Sequence, residues 1–274
     1  MSADHITTVS PTYAREILTP ARGEGLDGVL RARSSVLTGI LNGVDTNEWN
    51  PATDPLIAHC FDAERLDARA LNKAALRREL GLTKTSGPLL AVVSRLTAQK
   101  GLDLLLAAIP NAIQRGAQLV VLGSGEPALE AAFKALGANH PVHVAVRLGF
   151  DEALAHRIFA GADAIVIPSQ FEPCGLTQLY GLRYGAVPIV HRVGGLADTV
   201  TDAATHSSAA PGTGLVFEEP TAESLSHALQ RALALFDQPR RWQALVRAGM
   251  NTPVDWDRAA KAYSTLYTGA VAQR

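Results

Sequence analysis

The feature that most restricts the fold is a regular alternation of short apolar strands and helices between residues 89 and 236. Each strand segment is rich in Val, Ile and Leu along its whole length, as in strands of a parallel sheet that is covered on both faces. Short connections between strand and helix favour right-handed crossovers. The pattern therefore predicts an α/β fold with a doubly wound parallel sheet. The predicted strands are residues 89–94, 118–122, 142–148, 164–168, 187–191 and 214–217.

Apolar residues at helical spacing predict the elements between and around these strands. Gly81 is the predicted C-cap of the first of these helices, at residues 67–80. The predicted helices are residues 67–80, 102–114, 126–136, 151–159, one after Gly175, a short one after Gly195, and 222–236, 240–248 and 256–267.

The first 46 residues do not follow this alternation. Residues 6–9 can form a strand, although nothing precedes them to pair with, and residues 35–40 can form another. Ser10 and Pro11 can begin a helix, and a glycine-rich loop is predicted at residues 23–28. Such isolated elements cannot bury their apolar faces alone, so this segment is expected to be the tail of a larger unit.

Composition argues against several classes of function. The net charge of −1 and the lack of a basic run disfavour nucleic acid and anionic membrane surfaces as partners. The N-terminus does not have the pattern of a signal peptide, and no apolar run approaches the ~20 residues that span a bilayer. Two distant cysteines, Cys60 and Cys174, do not suggest a disulfide framework. A cytoplasmic location is therefore expected.

Two cations, Arg95 and Lys100, flank the turn that follows the first strand of the alternation. Arg95 can contact a phosphate with two hydrogen bonds, and Lys100 can act as a point charge. Solvated surface cations are the alternative interpretation. A second turn, Gly123-Ser124-Gly125, resembles a phosphate loop but lacks a full dinucleotide or Walker pattern, so it is a weak candidate.

The segment 168–185 predicts a strand end, a polar loop and a helix start, which together suit a phosphate. Glu172 in this loop can accept hydrogen bonds from sugar hydroxyls, or it can be a solvated carboxylate or pair with Arg95. Cys174 is interpreted as an apolar filler rather than a nucleophile, although a helix N-terminus would lower its pKa. Phe150, after the third strand, can offer a wall for a base or be buried.

Metal and serine-hydrolase chemistry are both disfavoured. The histidines show neither HxH nor HExxH spacing, and no G-x-S-x-G elbow is present. The dinucleotide fingerprint is incomplete, so a nicotinamide oxidoreductase is also disfavoured.

Five motifs carry a family resemblance that runs from about Ile6 to the end of the chain. They are TVSPTYAREI, GILNGVDTNEWNP, SRLTAQKG, FEPCGLTQLYGLRYG and RVGGLADTV, in this order. Together they closely resemble bacterial glycogen synthases, the ADP-glucose-dependent glucosyltransferases that are related to plant starch synthases. The resemblance implies the GT-B fold, in which two Rossmann-like domains face a cleft.

The resemblance also implies a domain assignment. Residues 1–48 would be the tail of an N-terminal acceptor domain plus a hinge. Residues 49–274 would be the Rossmann-like nucleotide-sugar-binding domain, with a last helix at about 256–270 that crosses back toward the N-terminal domain. The family's K-x-G-G-L loop and most of its acceptor domain, with a catalytic Asp and His, are not found. The chain alone is therefore expected to have very little synthase activity and to bind ADP weakly.

By the same resemblance, three residues would be catalytic. Arg95 and Lys100 would neutralise the diphosphate of ADP-glucose, and Glu172 would bind the transferred glucose. Tyr180 stands where many related transferases have a second glutamate, as is usual for glycogen synthases. The implied substrate-binding residues are Asn42, Arg95, Lys100, Phe150, Glu172, Cys174 and, through their backbone amides on the distal phosphate, Gly175, Leu176 and Thr177.

The implied activity is glycogen biosynthesis by a retaining hexosyltransferase, which transfers glucose from ADP-glucose to the non-reducing end of an α-1,4-glucan. ADP-glucose is the donor substrate, so no cofactor and no metal are expected. The expected partners are ADP or ADP-glucose and the α-1,4-glucan acceptor, without nucleic acid or membrane, and an exposed cleft face would favour self-association. Two alternatives stay open: a related transferase with another nucleotide-sugar donor, and a non-catalytic nucleotide-binding remnant.

Overall fold

The computed structural model describes residues 3–204 and 212–272. Its strands are β1 (Ile6–Thr8), β2 (Leu37–Gly39), β3 (Leu89–Val93), β4 (Gln118–Gly123), β5 (Val144–Leu148), β6 (Ala164–Ile167), β7 (Val187–His191) and β8 (Leu215–Phe217). Its α-helices are α1 (Pro11–Glu16), α2 (Asp27–Ala32), α3 (Asp67–Leu80), α4 (Leu102–Gln114), α5 (Pro127–Asn139), α6 (Glu152–Gly161), α7 (Thr177–Tyr184), α8 (Gly194–Thr199), α9 (Ala222–Phe236), α10 (Pro239–Met250) and α11 (Asp257–Ala272).

The main sheet confirms the predicted doubly wound architecture. Its order is β5-β4-β3-β6-β7-β8, and every neighbouring pair is parallel. The chain first builds outward from β3 to β5, then returns to β6 beside β3 and builds in the other direction. The strand order therefore reverses between β3 and β6, and ligands of open α/β sheets bind at such a switch point.

The inner strands of this sheet are buried beneath the helices that pack on it. All four residues of β6 and all five of β7 are buried, which explains why their sequences are apolar without alternation. Among the covering helices, α4 packs against α9, and α3 packs against α6. A large cluster of apolar side chains forms the main core, and a small second cluster joins Val44, Leu179, Leu182 and Val254.

The N-terminal elements pair with one another, which the sequence did not indicate. Strand β1 pairs in parallel with β2, joining Ile6 to Leu37. The predicted cap of α1 is confirmed, since Ser10 Oγ accepts a hydrogen bond from Tyr13 N at 3.0 Å. The predicted loop at residues 23–28 is partly wrong, because α2 already begins at Asp27. Helix α1 packs on α8 of the main unit.

An aromatic cluster attaches the segment after β2 to helices α6 and α7, which cover the main sheet. The Trp49 ring stacks between His156, at a centroid distance of 3.8 Å, and Tyr180, at 3.9 Å. Buried Asp54 Oδ2 accepts a hydrogen bond from the hydroxyl of Tyr184 at 2.6 Å and lies 2.7 Å from His156 Nδ1. Tyr180 therefore packs on the segment after β2, where its ring stacks on Trp49.

Candidate functional site

The loops after β3 and β6 meet closely at the switch point. Gly101 ends the β3 loop with a φ of 63°, and a Cβ there would lie 2.0 Å from the carbonyl oxygen of Pro168. Only glycine allows this backbone approach. The contact brings the predicted cation Lys100 to the loop that carries Glu172.

Glu172 is buried and bonded, not solvated. Lys100 Nζ lies 2.5 Å from Glu172 Oε2, and Ser169 Oγ donates to the same oxygen at 2.9 Å. The side chain of Lys100 is 17% exposed and that of Glu172 is 10% exposed. Glu172 therefore pairs with Lys100 rather than with Arg95. A buried, fixed carboxylate of this kind can orient a polar ligand without reorganisation.

The loop around Glu172 is held from the β3 side by Gln99. Gln99 O accepts a hydrogen bond from Gln170 N at 2.9 Å, and Gln99 Nε2 donates to Phe171 O at 3.0 Å. On the β7 side, His191 Nδ1 lies 2.8 Å from Ser169 O. The carboxylate is thus presented by a loop whose backbone is bonded on two sides.

Arg95 lies further out, at a second part of the same sheet edge. It is exposed, and its Nη2 donates to Gln99 Oε1 at 3.2 Å. With Phe150 it lines a cavity of about 290 Å³ at the ends of β3, β4 and β5. Phe150 is 89% exposed, so the alternative of a buried Phe is wrong. The other residues of this cavity include Ser94, Gly123, Ser124, Gly149 and Asp151.

Helix α7 begins at Thr177, directly after Gly175 and Leu176. The first N–H groups of a helix have no acceptor within the helix, so they are available to an anion. Gly175 has a φ of 68°, and a Cβ there would meet the Gln178 side chain. Buried Gln178 donates from Nε2 to Cys174 O at 3.1 Å and to Gly175 O at 2.9 Å. This amide fixes the turn that presents the helix start.

Cys174 is buried beside Glu172, as an apolar filler would be. Burial raises the pKa of the Cys174 thiol, a backbone hydrogen bond from Asn42 lowers it, and the neighbouring charges of Glu172 and Asp198 raise it. The net pKa is raised, which is opposite in direction to the lowering that a helix start alone would cause. The contact places Asn42 next to Cys174, and Asn42 also lines a cavity of about 510 Å³ between α8, α10 and α11.

The structure brings the predicted residues together in two groups along one edge. Lys100, Glu172, Cys174 and Gly175 form the inner group near α7, and Arg95 and Phe150 form the outer one. Sequence reasoning missed Gln99, Ser169 and Gln178 as supports of the inner group. All three lie within or beside the motifs SRLTAQKG and FEPCGLTQLYGLRYG, so proximity to the motifs was the available signal.

Two kinds of feature are not found in the described part of the chain. Over residues 3–204 and 212–272, no three His, Cys, Asp or Glu side chains come together as a metal-ligand group. In the same ranges, no helix combines the length and the apolar character needed to cross a membrane.

Similar proteins share both the sequence and the fold. The family described as Glycosyl transferases group 1 matches residues 73–247, and that described as Starch synthase catalytic domain matches residues 1–32. Glycogen synthase from Novosphingobium aromaticivorans is 52% identical over 273 residues, which are 99% of this chain and 56% of the relative. Glycogen synthase from Methylocella silvestris is 55% identical over 274 residues, covering 99% of this chain and 57% of the relative.

A solved structure agrees with these sequence relatives. The catalytic domain of starch synthase IV from Arabidopsis thaliana, bound to ADP and acarbose, superimposes with a TM-score of 0.92 at 39% identity. The match covers 98% of this chain and 56% of that one, so this chain spans little more than half the length of the relatives it matches. The expected fold, the Rossmann-like half of a GT-B glycosyltransferase, is confirmed. Because the first family match covers well over half of the sequence, the chain belongs to the glycosyl transferases group 1 family.

Proposed function

We propose that this chain is the donor-binding part of a glycogen synthase, which transfers glucose from ADP-glucose to an α-1,4-glucan with retention of configuration. One observation carries the proposal: the Lys100–Glu172 pair lies at the sheet's switch point, beside the start of α7. Relatives at 52–55% identity bear the name glycogen synthase. The similar starch synthase structure holds ADP, which supports ADP as the nucleotide here.

The chemistry of glucosyl transfer matches the charges of the site. The bond between the anomeric carbon and the distal phosphate oxygen of ADP-glucose breaks, and a bond from that carbon to an acceptor hydroxyl oxygen forms. The acceptor proton leaves with the departing ADP. Negative charge grows on the diphosphate, so preorganised positive groups lower the barrier.

Each predicted residue has a proposed role in this step. Arg95 and Lys100 neutralise the diphosphate, and the backbone amides of residues 175–177 hold the distal phosphate at the start of α7. Glu172 accepts hydrogen bonds from glucose hydroxyls. Phe150 packs against the adenine, and Asn42 and Cys174 shape the floor near the sugar.

We also propose the domain assignment as the sequence suggests it. Residues 1–48 belong to the acceptor side and the hinge, and residues 49–274 bind the nucleotide sugar. The last helix, α11, has only Ala259 buried and exposes Tyr267 and Val271. This supports a role for α11 in contacting the acceptor side, and its apolar face favours self-association when that side is absent.

A glucan-synthesis assay with ADP-glucose as donor tests the activity. The 274-residue chain is expected to synthesise very little glucan, because it spans only 56% of the length of a glycogen synthase relative. Robust synthesis by the chain alone would contradict that expectation. Binding of ADP-glucose without any transfer, even when the acceptor side is supplied, would instead favour a nucleotide-binding remnant.

A transferase with another donor is the second candidate. It is favoured by the geometry of Arg95 and Lys100, which can bind any diphosphate regardless of its base. Titration with ADP and UDP separates the two. Tighter binding of ADP supports the leading proposal, and tighter binding of UDP supports the alternative.

A further inference from the structure

Two carboxylates join α1 and α8 reciprocally. Asp198, in α8, accepts hydrogen bonds from Thr12 N at 2.8 Å and from Thr12 Oγ1 at 2.7 Å at the start of α1. Glu16, at the end of α1, accepts one from Gly194 N at 2.8 Å at the start of α8. Each carboxylate therefore accepts a hydrogen bond from an N–H group at the start of the opposite helix, and such a group has no acceptor within its helix.

The Glu16 contact leads directly to Glu172. The backbone of Gly194 touches that of Glu172, since a Cβ on Gly194 would lie 2.0 Å from the carbonyl oxygen of Glu172. The next residue, Gly195, donates its N–H to the same oxygen at 3.0 Å. Glu16 thus binds the Gly194 amide, and the backbone of Gly194 in turn contacts the Glu172 carbonyl.

Arg22 contacts the other side of the same loop independently. Its Nη2 donates to Gln170 O at 2.8 Å, and its guanidinium carbon lies 5.4 Å from the centre of the Phe171 ring. Glu16 and Arg22 both belong to the segment matched by the starch synthase family. Both of their contacts lie in the region matched by the group 1 family.

The two carboxylate oxygens of Glu16 differ in their contacts. One of them, Oε2, is buried and has no hydrogen-bond donor in the described ranges 3–204 and 212–272. Burial of an unbonded carboxylate oxygen is unfavourable. The carboxylate therefore acts on the start of α8 through its bonded oxygen, Oε1.

We propose that Glu16 and Arg22 are positioning residues, which lock the loop 169–172 so that Glu172 faces the sugar of the donor. This deepens the proposed function and rests on it. It also means that the acceptor-side segment sets the geometry of the donor site. The donor site is then complete only when α1 is docked on α8.

The first test needs no ligand. Hydrogen–deuterium exchange is measured at the Gln170 and Gly195 amides of the chain and of its Glu16→Ala variant. Exchange is expected to be about tenfold faster in Glu16→Ala, because a charge-assisted hydrogen bond is lost. Glu16→Gln keeps an acceptor oxygen and should restore slow exchange. Glu24→Ala, an exposed change in the same segment, is the control and should not alter it.

The second test compares two ligands. Glu16→Ala should weaken ADP-glucose binding about tenfold and leave ADP binding nearly unchanged, because Glu172 is assigned to the sugar alone. Glu16→Gln should bind both ligands as the unsubstituted chain does. If Glu16→Ala does not fold, as judged by circular dichroism, Arg22→Ala is expected to give the same pattern.

The outcomes are distinguishable. Unchanged exchange at both amides, or equal loss of ADP and ADP-glucose binding, would overturn the positioning role. Absence of ADP-glucose binding by the unsubstituted chain would instead count against the proposed function. The exchange rates would then still decide whether Glu16 and Arg22 hold the loop.

Discussion

Lys100 Nζ lies 2.5 Å from Glu172 Oε2, which joins the cation assigned to the diphosphate to the carboxylate assigned to the sugar. Ser169 donates to the same oxygen, so within residues 3–204 and 212–272 both bonds of the Glu172 side chain are on Oε2. Oε1 is therefore the oxygen that a sugar hydroxyl can approach. The two halves of the donor would be recognised by one coupled pair.

This pairing predicts opposite effects of Glu172→Gln on two ligands. ADP-glucose binding should fall by about tenfold or more, because a charged acceptor for the sugar hydroxyls is lost. ADP binding should stay the same or become tighter, because Lys100 loses its competing partner. Calorimetric titration measures both affinities. Glu218→Gln, which changes an exposed ion pair with Arg192, is the control, and a parallel loss of both ligands in Glu172→Gln would refute the assignment.

The close approach of Gly194 to Glu172 predicts that adding one methyl group at residue 194 strongly affects stability and donor binding. Gly194 has a φ of 42°, and its Cβ would overlap the Glu172 carbonyl. Gly194→Ala should lower the free energy of unfolding by at least about 2 kcal/mol and abolish donor binding. Urea denaturation measures the first effect.

Gly269→Ala is the matched control for that variant. Gly269 lies in α11, and a Cβ added to it would have no neighbour within 4 Å. Alanine should therefore be neutral there or stabilise the helix by up to about 1 kcal/mol. If Gly194→Ala unfolds at the same urea concentration as Gly269→Ala, a Cβ at residue 194 does not overlap the Glu172 carbonyl.

The two cysteines should differ in reactivity. Cys60 is exposed and Cys174 is buried, and burial raises the pKa of the Cys174 thiol, which keeps it protonated at neutral pH. Because the thiolate is the nucleophile, an aromatic disulfide reagent should modify Cys60 quickly and Cys174 slowly. Cys60→Ser should remove the fast phase, whereas loss of the slow phase in that variant would contradict the prediction.

Asp202 should contribute to the acid dependence of stability. Burial raises its pKa, but hydrogen bonds from Val216 N, Arg231 and Ala204 N outweigh this and hold the net pKa below the usual value of an aspartate. A carboxyl with a lowered folded-state pKa stabilises the fold above its unfolded pKa, and this contribution is lost as pH falls through the folded-state value.

Urea denaturation from neutral to acid pH measures this effect. Asp202→Asn should reduce the free energy of unfolding at neutral pH and flatten its decline in acid. Asp237→Asn, at an exposed position, should leave the profile unchanged. An unaltered acid decline in Asp202→Asn would show that other groups control it.

Sequence patterns predicted the main sheet well because its strands are mostly apolar along their length and its helices repeat apolar residues at helical spacing. Helices α4 and α9 and strand β7 begin and end at the predicted residues. Helix α2 was missed because Gly23, Gly25 and Gly28 indicate a loop, yet the last of them lies inside the helix. The pairing of β1 with β2 depends on tertiary contacts that periodicity does not encode.

The position of the candidate site could be predicted from the sequence. The ion pair and the hydrogen bonds within the site could not. Parallel strands bring their carboxyl ends to one edge, so Arg95, Lys100 and Glu172 were expected to converge. Which cation pairs with Glu172 depends on the Gly101 turn, which directs Lys100 inward and leaves Arg95 exposed. Glu16 was not singled out, because its role arises from a contact with a residue 178 positions away.

The proposed function depends above all on binding of an adenine nucleotide's diphosphate at this sheet edge. A calorimetric titration of the chain and its Arg95→Ala variant with ADP tests that binding. We expect saturable binding to the chain, and binding to Arg95→Ala that is weaker by about tenfold or more because a charged phosphate contact is lost. Absence of ADP binding, or equal binding by both proteins, would show that the diphosphate is not bound here.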